Sequence, residues 1–243
     1  MERKPSATPS CSTLPIIGRV VLASVLLLGV APASVGNSRE AAPWEAAPWI
    51  GTSLNDTACR GGRANYGPYD YTNPEAFNEK LPIVNAVHFT PWVESLKGGN
   101  TAATPLPDIN YTLLQFPNHH RALFALIRYY LKLEPWKPGH HQWDTPPECY
   151  LQRAIAFSPK DAAVHTLYGV YLHRRSHLQQ AVEQYREALA LAPDSAEAHY
   201  NLGLALLDLK RYKEAQAAAR KAYALGYPLP GLRERLTAAG YAP

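Results

Sequence analysis

The sequence predicts a mostly α-helical fold: a short superhelical array of stacked helix pairs behind an irregular, loop-rich N-terminal part. Three observations predict it. In the C-terminal half, small residues return every 34 positions, prolines recur where one unit must stop, and bulky apolar residues between them follow the helical period. Composition agrees. The 243 residues are 47% hydrophobic and 18% charged, enough to bury a core and too apolar for wholesale disorder. With 24 Lys+Arg against 20 Asp+Glu the net charge is only +4, and no basic block occurs, so nucleic acid is not an expected partner.

The chain opens as an export signal. Arg3, Lys4 and Arg19 precede an uncharged apolar run, Val20 to Ala31, which as a helix would cover roughly 18 Å, short of the ~30 Å hydrocarbon core. Ala31-Pro32-Ala33 then places small residues where a signal peptidase cuts. Residues 1–33 are therefore expected to be removed, leaving no stable membrane span and a periplasmic or secreted protein; an uncleaved anchor is the other reading. Cleavage takes away three basic residues and one acidic residue, Glu2, and leaves a net charge of +2. It also removes Cys11. Cys59 and Cys149 remain, and two cysteines in an exported chain can form one disulfide or stay as two buried thiols.

Residues 34–60 are rich in Ala, Pro, Gly and Ser, carry the duplication Ala41-Ala42-Pro43-Trp44 and Ala46-Ala47-Pro48-Trp49, and are expected to form a tether. Residues 61–117 form an irregular region rich in turn-forming clusters. Short helices are expected at Glu75–Val87 and Pro91–Lys97, and a brief strand or extended segment over Asn110–Leu114. So little regular structure must lean on the helical part that follows. From Asn118, a plausible N-cap, apolar residues recur at helical spacing up to Leu131. A second helix opens at Pro147, so 118–161 makes an irregular helix pair with an enlarged turn between its helices.

The repeat itself is clear. Gly169 pairs with Gly203, Ala181 with Ala215, His165 with His199 and Pro159 with Pro193, while Ala154, Ala188 and Ala222 form a series of three. Helices are expected at about 162–175, 178–191, 196–209 and 212–225, in units 162–195 and 196–228, with a polar-faced capping helix over 229–243. A Gly or Ala lets one helix backbone sit against a neighbour at 8–10 Å, and proline cannot continue a helix. A single pair cannot bury its apolar stripe, so the units stack.

These positions resemble the tetratricopeptide repeat. Gly169 and Gly203 match the family's small residue in the first helix, Ala181, Ala188, Ala215 and Ala222 those of the second, and Pro159 and Pro193 its closing proline. His165, His199 and Ala219 depart from it, the last standing where a bulky aromatic is usual. The resemblance implies that the first helix of each pair lines a concave face. The implied groove residues are Thr166, Val170 and His173 from one unit, and Tyr200, Asn201, Leu204 and Asp208 from the next. Some members clamp a peptide's terminal carboxylate with Lys, Arg and Asn. Asn201 alone matches, so no clamp is expected.

Adjacent histidines at 119–120 and 140–141 diverge by about 100° on a helix and present no ligand set, so no metal is expected. There is no Gly-x-Ser-x-Gly, His-Glu-x-x-His, phosphate loop or Cys-x-x-Cys, and neither catalysis nor a cofactor is expected. The expectation is an exported non-catalytic adaptor that binds a peptide or helix of a partner protein in an envelope complex. The alternative is a structural subunit of a self-associating extracellular or envelope assembly.

Overall fold

The computed structural model describes residues 46–132 and 145–243. The export signal, Trp44 and the His140–His141 pair lie outside the described residues. Among the described residues ten α-helices follow one another, and the only β pairing is an isolated antiparallel bridge between Thr52 and Ala58. A π-helical turn, Ala76–Lys80, runs into α1 (Leu81–Val87), followed by α2 (Pro91–Glu94) and α3 (Leu106–Gln115). Then come α4 (His120–Lys132), α5 (Pro147–Phe157), α6 (Ala162–Arg174), α7 (Leu178–Leu191), α8 (Ala196–Asp208), α9 (Tyr212–Ala224) and α10 (Gly231–Ala238).

The repeat register recurs in the local chemistry of the helix ends. Asp161 caps α6 by accepting the Ala163 N–H, and Ser195 caps α8 by accepting that of Ala198. Each of these helices stops on a left-handed residue, Ser176 and then Lys210, 34 positions on. The next N–H reaches back five residues in both, His177 to Leu172 O and Arg211 to Leu206 O, which satisfies an otherwise orphaned carbonyl. α9 and α10 stop in the same way on Gly226 and Gly240, where positive φ carries no Cβ penalty.

Packing explains both the small residues and one departure. A Cβ on Gly169 would lie 2.5 Å from the ring of Tyr185, which α7 presses against α6. The residue equivalent to Tyr185 in the next unit is Ala219, too small to cover Gly203. Leu232 of α10 covers it instead, 2.5 Å from where a Cβ on Gly203 would sit. Leu232 and Leu236 are fully buried, so the last helix completes the second repeat.

Three expectations need correction. Residues 46–60 are not a loose tether but a strap held along α5. Cys59 is joined to Cys149, Leu54 N–H donates to Glu148, Gln152 donates to Thr52 O, and Trp49 meets Tyr150 edge to face at 5.0 Å. Arg153, 2% exposed, donates to Ala47 O, Leu113 O and Leu114 O, tying strap, α3 and α5 together; burial pushes its guanidinium down to about 10, still charged at neutral pH.

Asn110–Leu114, expected to be extended, is helical within α3, because Ile109 and Leu113 at four-residue spacing face the core. Asp108 fixes the loop before α3, accepting the Asn100 and Thr101 N–H groups, the Thr101 hydroxyl and His88 Nδ1. Burial raises the Asp108 carboxyl, but these donors outweigh it and hold the group below its ordinary range. Finally, Asn118 is not an N-cap. Its amide bridges Asp70 and Asp161, and the Ala122 N–H is taken by His119 Nδ1 instead.

Candidate binding groove

The groove runs along α6, with α4 on one side and α8 and α10 on the other. One cavity of about 450 Å³ is lined by Val170, His173 and Arg174 from α6, Asn201, Leu204 and Asp208 from α8, and Arg235 from α10. A second, about 510 Å³, shares Val170 and Arg174 with it and adds Phe124, Arg128, Leu131 and Lys132 from α4. A third, about 500 Å³, shares Phe124 and continues past Arg121, Thr166 and Leu167 to Glu94 and Glu197. The shared residues make the three compartments consecutive.

The first compartment is polar on one wall. His173 Nε2 lies 2.7 Å from Asp208, and Arg235 forms an ion pair with the other oxygen of the same carboxylate. Burial raises the Asp208 carboxyl, yet the bonds from His173 and Arg235 prevail and keep it below the ordinary carboxylate range. Asp208 therefore remains a charged acceptor at neutral pH. On the same faces of α6 and α8, Val170 and Leu204 offer apolar surface one turn before Arg174 and Asp208.

Five of the seven expected groove residues, Val170, His173, Asn201, Leu204 and Asp208, meet in this compartment. Thr166 does not: its hydroxyl donates to Ala162 O, and it lines the third compartment. Tyr200 is buried and stacks on Tyr227 with ring centroids 4.2 Å apart, so it belongs to the packing of α8 on the C-terminal segment rather than to the groove. Sequence reasoning missed Arg174 and Arg235. The repeat carried the signal, since Arg235 stands 34 positions after Asn201 and Arg174 34 before Asp208. Phe124 and Arg128 lie on α4, outside the regular units, where no register pointed to them.

Among the described residues no three His, Cys, Asp or Glu side chains converge as metal ligands. His119 is wholly buried with its ring tilted against that of Tyr71, centroids 4.4 Å apart, and His120 is bound to Asp161 at 2.7 Å. No described helix is long and apolar enough to cross a membrane.

Stacked helix pairs with an open groove form a scaffold for protein–protein interaction. Two family models match the repeat region: the one described as "TPR repeat" matches residues 171–210, and the one described as "Tetratricopeptide repeat" matches 196–225. Residues 171–225 of the chain thus carry tetratricopeptide repeats. It is 32% identical over 77 residues to a peroxisomal targeting signal receptor of Candida albicans; the match covers 32% of this chain and 13% of the receptor's length. Among solved structures, it is similar to PilF of Pseudomonas aeruginosa (19% identity, 68% of this chain and 67% of that one, TM-score 0.47). It is also similar to MamA (17%, 67% and 81%, TM-score 0.48) and to a thermophilic TPR protein of Thermus thermophilus (21%, 69% and 81%, TM-score 0.43).

Proposed function

We propose that this chain is an exported adaptor that holds a peptide or helix of a partner protein in its groove, within an envelope complex and without catalysis of its own. One observation carries the reading. Val170 and Leu204, 34 residues apart, present apolar surface in a cavity whose polar side chains come from three successive groove-lining helices. A side chain of the partner can bury its apolar part there and pair its polar part with Asn201 or the charged groups. The designation of the Candida albicans relative, a receptor for a targeting signal, describes recognition of a similar kind. Export is supported by the N-terminal grammar and by the Cys59–Cys149 bond, since disulfides persist mainly in oxidising compartments.

The test is in-cell cross-linking and capture with the parent chain and with Val170→Glu/Leu204→Glu, in the envelope and cytoplasmic fractions. A partner recovered from the envelope by the parent and lost by the variant, at unchanged helix content, is the expected result. Equal recovery by both chains would sink the groove, and recovery only from the cytoplasm would sink the location.

A further inference from the structure

Charge is unevenly divided along the groove. In the third compartment Arg121 is paired with Glu94, and Glu197 adds a carboxylate. In the first, Asp208 sits between His173 and Arg235. The middle compartment differs: its described lining brings together Arg128, Lys132 and Arg174 with no carboxylate, around the apolar surface of Phe124, Leu131 and Val170. Arg128 bonds only weakly to a backbone carbonyl, Glu94 O at 3.5 Å, and stands 5.8 Å over the Phe124 ring. Tyr185 lines the adjoining compartment beside Arg174; it is fully buried, and its hydroxyl has no hydrogen-bond partner among the described residues.

We infer that the middle compartment takes an internal acidic side chain of an extended, apolar-flanked segment of a partner protein, its carboxylate held between Arg128, Lys132 and Arg174. This rests on the adaptor reading above and names the chemistry of the partner. The acid is internal because the groove continues on both sides, past Phe124 in one direction and past Val170 in the other. Along α6 the lining runs from Ala162 to Arg174, roughly 18 Å of helix. Roughly five to six extended residues span that distance. Glu197 at one end and the ion-paired Glu94 and Asp208 disfavour a continuous phosphate backbone, whereas a segment with one acid between neutral neighbours complements the cationic centre.

A positional-scanning library of N-acetylated, C-amidated heptapeptides tests this on the full chain, because blocked termini leave only side-chain carboxylates. Glu or Asp is expected to be selected at one internal position. The best such peptide should bind at least about tenfold more tightly than its Gln or Asn counterpart. Arg174→Gln and Lys132→Gln, both exposed and so compatible with an unchanged melting temperature, should each remove most of that preference.

No acidic selection, or a preference that survives the double variant, would overturn the inference. So would a single-stranded oligonucleotide or a phosphatidylglycerol vesicle that binds more tightly than any peptide and is lost in the same variants. If partner capture depends on Val170 and Leu204 while the library shows no acidic selection, the charge assignment fails and the adaptor reading stands. If capture ignores the groove, both fail.

Discussion

Two glycines at equivalent places in successive repeats meet different neighbours. Above Gly169 lies the rigid, fully buried ring of Tyr185; above Gly203 lies a methyl of Leu232, which can turn aside. Alanine at either site gains about 1 kcal/mol in helix propensity. At 169 the overpacking costs about 1–3 kcal/mol. Gly169→Ala is therefore expected to lower the denaturation midpoint and Gly203→Ala to leave it nearly unchanged, as urea titration would show.

His119 offers a second measurement. Burial, helped by the nearby Arg121 charge, pushes its imidazole down to about 3, so it stays neutral in the folded chain while the unfolded chain protonates near 6.5. A lowered folded value means stability that is complete above about pH 6.5 and is lost as pH falls towards 3. His119→Asn removes that titration. The variant is expected to be less stable than the parent at pH 7.5, with the gap narrowing by about 2 kcal/mol at pH 5. A gap that stays constant in paired urea titrations would contradict the buried neutral ring.

At the scale of elements, strap and cap each have a stated role. The Cys59–Cys149 bond closes 90 residues of chain. Its loss in Cys59→Ser/Cys149→Ser is expected to cost about 2–5 kcal/mol. Hydrogen exchange should rise first at the Ser53, Leu54 and Cys59 amides, whose acceptors lie within the strap or on α5. Uniform loss of protection across α6–α9 instead would show that the strap carries the whole fold. For α10, Leu232→Ala is expected to cost about 2–5 kcal/mol. Ala219→Tyr alone should overpack against Leu232, and the two together should recover stability, because the tyrosine then stands over Gly203 as Tyr185 stands over Gly169. An additive double-mutant cycle would refute that substitution of one neighbour for another.

In the molecule as a whole, two of the three buried clusters among the described residues meet. One gathers Phe89, Ile109, Leu126 and Leu151 with α6, and the other gathers α7 to α10; Leu54 and Tyr168 pack against both. Unfolding of 46–243 is expected to be one cooperative transition. All five tryptophans precede residue 145, so indole fluorescence follows the N-terminal part, whereas far-ultraviolet circular dichroism reports every helix, about half of the described helical residues lying in α6–α9. Coincident urea curves are the expected result, and two separated midpoints would break the linkage.

How much was readable varied with the range of the forces involved. Helices 162–225 were legible to within a residue or two, because Gly169, Ala181, Pro193 and their repeats act on backbones close by in the chain. α3 was not. Asn110-Tyr111-Thr112 has no strong helical preference, and the helix is held by Asp108 on its loop and by Ile109 and Leu113 in the core. Of the strap, the Cys59–Cys149 bond was one of two readings of the cysteines, whereas its path along α5 was not legible, since Arg153 reaches carbonyls 106 and 40 residues away. In the groove, Thr166, Val170, His173, Asn201, Leu204 and Asp208 followed from the register, while Tyr200 was misplaced because which side of α8 faces the cap depends on α10.

The sequence by itself determined the helix pairs, their 34-residue spacing and six residues that line the groove, because small side chains at regular intervals and helix-stopping residues act locally. Only the tertiary structure decided that Leu232 completes the second repeat, that the strap binds α5, and that Arg128, Lys132 and Arg174 surround one cavity. Those arrangements join side chains far apart in the chain, and burial and charge act between them only once the helices have stacked.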